Sequence, residues 1–129
     1  MSGVVPVVTK LAPIPVAAYS QAIKAGGFIY ISGQVPLTTD NKLVEGGKED
    51  IKVQTHQVLK NLRGVVEGAG SSWEKLVKLN IFITDMSKFP LVNEVYAEYF
   101  TTHKPARSCV AVRELPLGAD IEIEAVALQ

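Results

Sequence analysis

The stretch Leu76-Val-Lys-Leu-Asn-Ile-Phe-Ile-Thr84 does most to decide the fold. Its residues alternate, with Val77, Leu79, Ile81 and Ile83 on one face and mainly polar residues on the other. A period of two predicts a β-strand that packs one face on a core. Helical patterns lie on both sides of it in the chain, so we expect a mixed α and β structure.

Two amphipathic helices flank this strand. The first is predicted from about residue 49 to 67, because apolar residues recur at helical spacing and Gly68 and Gly70 follow. Its apolar face comprises Ile51, Val58, Leu59, Leu62, Val65 and Val66. The second is predicted from about residue 88 to 101, with Phe89, Val92, Tyr96, Tyr99 and Phe100 on one face. Between them, Ser71-Ser-Trp-Glu74 resembles a capping box.

The N-terminal part of the chain predicts a β-hairpin. Two strand-like runs, 19–25 and 28–33, are separated by Gly26-Gly27, which favours a two-residue turn. That register would place Gln21 opposite Ser32 and Tyr19 opposite Gln34. The proline-rich residues before this hairpin predict an extended lead-in.

The C-terminal part predicts two strands, at about 106–113 and 119–127. Within Pro105-Ala-Arg-Ser-Cys-Val110, Arg107 and Cys109 share one face of a strand. Glu122 alternates with isoleucines in the next strand. We expect the two strands to be neighbours, which would place a guanidinium that binds a carboxylate through two hydrogen bonds near a carboxyl group that can transfer protons. The pattern therefore predicts a small-anion site.

The predicted order is β-β-α-β-α-β-β, an α+β sheet with both helices on one face. The strands carry large apolar groups on both faces, such as Phe28 and Tyr30 against Ile29 and Ile31. One face would stay uncovered in a monomer, so we expect a homo-oligomer with pockets between subunits.

The composition narrows the function classes. The 129 residues are 47% hydrophobic, which suits one domain over residues 1–129. The formal net charge is zero and the lysines are scattered, so nucleic acid is an unlikely ligand. No apolar run is long enough to span a membrane.

One cysteine and two histidines predict a reducing compartment and no metal site. The first ten residues do not resemble a leader peptide, so we expect a cytoplasmic protein, with mitochondria as the alternative.

Several motifs together resemble the RidA/YjgF family of reactive-intermediate deaminases. They are Tyr19-Ser-Gln-Ala, Ser32-Gly-Gln-Val-Pro36, Val92-Asn-Glu-Val-Tyr96, Pro105-Ala-Arg-Ser-Cys-Val110 and Ile121-Glu-Ile-Glu-Ala-Val126. The resemblance implies a homotrimer with a chorismate-mutase-like fold. It also implies hydrolysis of 2-iminobutanoate and 2-iminopropanoate to 2-keto acids and ammonia, with no cofactor.

The resemblance also implies roles for individual residues. Arg107 would hold the substrate carboxylate and Glu122 would activate the attacking water. The rest of the pocket would be formed by Ser32, Gly33 and Cys109, by Phe89 and Asn93, and by Tyr19 from a neighbouring subunit. Many relatives have Gly-Pro where this chain has Ala17-Ala18, so the loop that carries Tyr19 can be set differently.

Other interpretations stay open on the sequence alone. Arg107 could form a structural ion pair with Glu122 or Glu124. Cys109 fits a small apolar filler better than a nucleophile, because no histidine stands in a triad arrangement. The protein could be a regulator that binds small carboxylates without turnover, an endoribonuclease or translation inhibitor, or a chorismate mutase. The last needs more cations than Arg107 alone supplies.

Overall fold

The computed structural model describes residues 3–129 and confirms the mixed sheet with two helices. Met1 and Ser2, where the stretch used for the targeting prediction begins, lie outside the described residues. The helices are α1 (Ile51–Gly68) and α2 (Phe89–Tyr99). The strands are β1 (Val5–Val7), β2 (Ala22–Ala25), β3 (Phe28–Gln34), β4 (Leu76–Ile83), β5 (Ala106–Ala111) and β6 (Ile121–Leu128).

The six strands form one sheet in the order β1-β2-β3-β6-β4-β5. All neighbouring pairs are antiparallel except β4 and β5, which α2 connects as a parallel crossover. Both helices pack on one face of this sheet. The core between them comprises the predicted face of α1 and the inward residues of the strands, among them Ile29, Leu79, Ile81, Ile121 and Ile123.

Local chemistry sets the helix boundaries. The carboxylate of Asp50 accepts hydrogen bonds from the backbone amides of Lys52 and Val53, at 3.1 and 3.2 Å, and so caps α1. Glu49 has a φ of +61°, which is incompatible with a helix, so α1 begins later than predicted. Pro90 lies in the first turn of α2, where its missing amide proton costs nothing.

Three predictions about the strands and turns were wrong. The predicted element order lacks one strand, β1, which lies in the extended lead-in and pairs with β2. Val77 is 40% exposed and Leu76 is buried, because the register between β4 and β6 shifts there. The capping box does not form: Ser71 donates its hydroxyl proton to the Leu128 carbonyl, and Ser72 makes no side-chain cap bond.

The hairpin register is partly confirmed. The β2–β3 ladder places Ile23 opposite Tyr30, and the Ser32 amide donates to the Gln21 carbonyl at 3.0 Å. Tyr19, however, does not pair with Gln34. The register of β3 shifts between Ile31 and Gln34, and Tyr19 lies in the loop before β2.

The face of the sheet opposite the helices is exposed and partly apolar, as expected. Phe28, Tyr30, Val110 and Leu128 are 38–50% exposed on it. We call this the open face. Within residues 3–129, no helix is both long and apolar enough to cross a membrane.

Candidate functional site

The predicted site residues lie in two separate places in the chain. Four of them, Tyr19, Ser32, Gly33 and Glu122, line a cavity of about 620 Å³ beside β3 and β6. We call this the acid cavity. Its other walls are the loop before β2 and the turn at Pro116–Gly118.

Glu122 is the titratable group at the centre of the acid cavity. It lies on the side of β6 that faces away from the helices, opposite Phe82 of β4. Burial, with a smaller contribution from the charge of Glu124, raises the pKa of this carboxyl group above its ordinary value. Within residues 3–129 Glu122 makes no hydrogen bond, whereas Glu124 accepts one from Asn80 at 3.0 Å. Glu122 therefore remains available to a ligand.

Gly33 permits the position of Glu122. A Cβ at residue 33 would lie 2.7 Å from Cδ of Glu122 and 3.1 Å from its Cγ, closer than real side chains approach. Its φ is not in the left-handed region, so the close approach, and not the backbone conformation, requires glycine. Any larger residue at position 33 would displace the carboxyl group.

Hydrogen bonds fix the loop that carries Tyr19. The Ser32 hydroxyl donates to the Ser20 carbonyl at 2.6 Å. The buried side chain of Gln21 donates to the carbonyls of Thr9 and Pro13, both at 3.0 Å, and accepts from the Thr9 amide. Sequence reasoning missed this role of Gln21, although a glutamine within an alternating strand pattern is a signal for a buried polar anchor. Tyr19 is itself about half exposed.

Arg107 lies in the second place, on edge strand β5 above α2. Its Nη1 donates to Oδ1 of Asn93 at 2.7 Å. Its guanidinium carbon lies 4.7 Å from the ring centroid of Tyr96 and 5.3 Å from that of Phe89. The structure thus brings together Arg107, Asn93 and Phe89 as expected. Lys104 and Tyr96, which the sequence reasoning did not include, line the same cavity of about 370 Å³.

The surroundings of Arg107 and Cys109 within one chain bear on two of the open interpretations. Within residues 3–129 of one chain, Arg107 bonds to Asn93 and forms no ion pair with Glu122 or Glu124. Cys109 is half-buried against the core, and burial raises the pKa of its thiol although Arg107 partly offsets this. A thiol kept protonated is a poor nucleophile, which favours the filler interpretation.

The two places do not meet within one chain. β4 lies between β5 and β6, so the expectation of neighbouring strands was wrong. Arg107 pairs with the buried Leu79 and therefore lies on the helix side of the sheet, whereas Glu122 lies on the open face. Tyr19, which was expected from a neighbouring subunit, shares its cavity with Glu122 of its own chain.

Comparisons with known proteins agree with the motifs. The family model described as Endoribonuclease L-PSP matches residues 9–129. Protein HMF1 of Saccharomyces cerevisiae is 51% identical over 124 residues, which are 96% of this chain and 94% of that protein. The mitochondrial protein MMF1 of the same yeast is 49% identical, over 96% of this chain and 83% of that protein.

Solved structures share the fold over nearly the whole chain. The crystal structure of yeast Mmf1 superposes with a TM-score of 0.92 at 48% identity and covers 98% of both chains. A crystal structure of E. coli TdcF with bound serine superposes with a TM-score of 0.88 at 34% identity. It covers 96% of this chain and 98% of that chain.

Proposed function

Because the chain belongs to the Endoribonuclease L-PSP family, which includes the Rid/YjgF proteins, we propose that it hydrolyses 2-imino acids. The substrates would be 2-iminobutanoate and 2-iminopropanoate, and the products 2-keto acids and ammonia. One observation carries the proposal. The chain holds a carboxyl group of raised pKa in a cavity and an exposed, braced guanidinium elsewhere, which are the two groups that this reaction needs.

The active site would form between copies of the chain in a homotrimer. The open face exposes Phe28, Tyr30, Val110 and Leu128, and a second copy would bury them. Arg107 lies on the edge strand β5, where a neighbouring copy can approach it. In this arrangement Arg107 of one copy enters the acid cavity of the next, and each trimer contains three equivalent sites.

The proposed reaction uses both groups directly. Arg107 binds the substrate carboxylate through two parallel hydrogen bonds and fixes the C=N carbon near Glu122. Glu122 accepts a proton from a water molecule while the water oxygen attacks that carbon. With the imine bound in its protonated form, Glu122 returns that proton to the nitrogen of the resulting carbinolamine. The C–N bond then breaks and releases ammonia, while the hydroxyl proton passes to Glu122 and from there to solvent, which leaves the keto acid. One water is consumed for each ammonia released, and no electrons are transferred.

The guanidinium of Arg107 from the neighbouring copy would also lower the pKa of Glu122. Burial alone raises the pKa of this carboxyl group and favours its protonated form, which cannot accept a proton. A guanidinium from another copy favours the ionised form. Because the two effects oppose each other, Glu122 could both accept and return a proton during the reaction.

A second candidate is a small-carboxylate binder without turnover. The crystal structure of E. coli TdcF with bound serine favours it. The amino and carboxylate groups of serine match the nitrogen and carboxylate of an imino acid, so the same site could serve a sensor. Binding alone, however, gives no role to a proton-transferring group such as Glu122.

RNA cleavage is a third candidate. The family description names an endoribonuclease, so the comparisons do not support the expectation that nucleic acid is an unlikely ligand. The neutral net charge still argues against a strong electrostatic hold on RNA. RNA must therefore be tested together with the imino acids.

We also propose a cytoplasmic location, with the mitochondrion of the MMF1 relative as the alternative. Both compartments are reducing and suit a single free thiol. Imaging of the full chain with a C-terminal fluorescent tag distinguishes them. Colocalisation with a mitochondrial dye would contradict the cytoplasmic assignment.

The deciding experiment couples a threonine dehydratase to this protein and follows 2-keto acid release. We expect wild type to accelerate release and Arg107→Ala to abolish the acceleration. Arg63→Ala is the matched control, because Arg63 also stacks on two rings, Trp73 and Tyr99, but lies on α1 outside both cavities. Serine binding without acceleration would favour the binder, and RNA cleavage that is lost in Arg107→Ala would favour the nuclease.

A further inference from the structure

One side of the acid cavity is apolar and more extensive than a small imino acid requires. The loop before β2 contributes Ile14 and Val16, which are 54% and 71% exposed. The turn before β6 contributes Leu117, which is 68% exposed. We call these three residues the apolar wall. They line the same cavity as Ser32 and Glu122, so a substrate at the carboxyl group would direct its side chain into this space.

Leu117 stands in an unfavourable conformation. Its φ and ψ are 60° and 24°, the left-handed region that non-glycine residues avoid. The next residue, Gly118, also has a positive φ of 71°, and the Ala119 amide closes the turn by donating to the Pro116 carbonyl at 3.1 Å. The backbone of this turn would accept glycine at position 117, and the leucine side chain gains little burial there. Folding of the chain therefore does not explain leucine at this position.

We propose that Leu117, with Ile14 and Val16, contacts the substrate side chain and selects 2-imino acids with branched aliphatic side chains. This inference rests on the proposed function and deepens it. A cavity of about 620 Å³ has room for a four-carbon side chain beside the groups that hold the carboxylate. Contact with such a side chain would remove the exposed leucine methyl groups from water.

The branched aliphatic side chain of the proposed substrate also indicates which class of reaction supplies that substrate. An imine of threonine or serine origin arises by elimination of the β-hydroxyl group as water. A branched aliphatic amino acid has no such leaving group. Its imine forms only when an oxidising enzyme removes two electrons and two protons across the Cα–N bond and passes them to an acceptor such as a flavin. The preferred partner reaction would therefore be oxidative deamination of apolar amino acids.

The test compares two imines on matched variants. An amino-acid oxidase with catalase generates the imino acid from leucine or from alanine, and a nucleophilic trap competes with enzymatic hydrolysis. We expect Leu117→Gly to lower kcat/KM for the leucine-derived imine about tenfold and to leave the alanine-derived imine within about twofold. Leu117→Met, which keeps an apolar side chain, should restore most of the loss.

Glu49→Gly is the control, because Glu49 has a φ of +61° but lies outside the acid cavity. Both glycine variants relieve a left-handed residue, so both should raise Tm by about 2–4 °C. Only Leu117→Gly should change the ratio of kcat/KM for the leucine-derived imine to kcat/KM for the alanine-derived imine.

An unchanged ratio, or an equal loss on both imines, would overturn the role of Leu117. A lower Tm with a smaller oligomer in light scattering would also overturn it, since Leu117 would then pack on another copy. If wild type hydrolyses neither imine, the proposed function fails and the inference fails with it. If wild type hydrolyses both but the ratio does not move, the inference alone fails.

Discussion

Gly33→Ala tests whether the position of Glu122 sets the activity. The new Cβ would lie 2.7 Å from Cδ of Glu122, and ordinary contact begins near 3.4 Å. The carboxyl group must therefore retreat by about 0.7 Å or rotate away from the cavity. Misplacing a catalytic group by about 1 Å can cost about 10²-fold in rate. We expect kcat/KM for 2-iminobutanoate to fall about 100-fold, close to 2.7 kcal/mol of transition-state stabilisation.

The assay is hydrolysis of dehydratase-derived imine, measured with urea denaturation on the same preparations. Stability should change little, because alanine suits the backbone at residue 33 and reduces the freedom of the unfolded chain. Gly47→Ala is the control, since its Cβ would crowd a Val44 methyl carbon at 2.6 Å, away from both cavities. That variant should lose stability and keep its activity. The reasoning is refuted if Gly33→Ala stays within twofold of wild type while Glu122→Gln is inactive.

Three further predictions concern single groups. In an Arg107→Ala background, Glu122→Gln should have a higher Tm than its parent at pH 7 and the same Tm at pH 3. Because burial raises the pKa of Glu122, ionising this carboxyl group costs stability as the pH rises above its ordinary pKa of 4.5. Equal Tm values at pH 7 would contradict this. Asn93→Ala should raise KM about fivefold with kcat within twofold, because Arg107 loses the bond that orients it; a loss confined to kcat would argue against positioning. Asp50→Ala should lower the free energy of unfolding in urea by about 1 kcal/mol, since α1 loses its cap, and an unchanged midpoint would show that the cap is dispensable.

Much of the fold could be predicted from the sequence because periodicity reports burial directly. The apolar spacing in α1 identified residues that are all buried in the structure, such as Val58, Leu59 and Leu62. Exact boundaries could not be predicted, because Glu49 takes a left-handed conformation that no periodicity reveals. The face on which Val77 lies was also predicted wrongly, since the register shift depends on how β4 pairs with β6.

The composition of the site could be predicted better than its assembly. Arg107, Asn93 and Phe89 lie together as expected, and so do Glu122 and Gly33. The separation of the two groups could not be foreseen. Alternation shows which face of its own strand a residue occupies, but strand order decides which faces coincide, and β4 between β5 and β6 is a property of the whole topology.

The strand order also explains why Arg107 and Glu122 lie apart within one chain. β5 pairs on one side only, so Arg107 at the edge of the sheet is reachable from outside, whereas Glu122 lies in an interior strand whose open face stays uncovered. A fold that completed the site within one chain would have to move one group through the sheet. The proposed association of copies would avoid that problem and would also bury the apolar open face.

Mixing two inactive variants tests the central claim most directly. Arg107→Ala and Glu122→Gln chains are unfolded together at equal amounts, refolded and assayed for imine hydrolysis. If each site takes Arg107 from one copy and Glu122 from the next, a random ring gives an intact pair at about a quarter of its sites, since each partner is intact with a probability of about one half. We predict recovery of about 25% of wild-type activity. No recovery from a properly assembled mixture would contradict a site shared between copies.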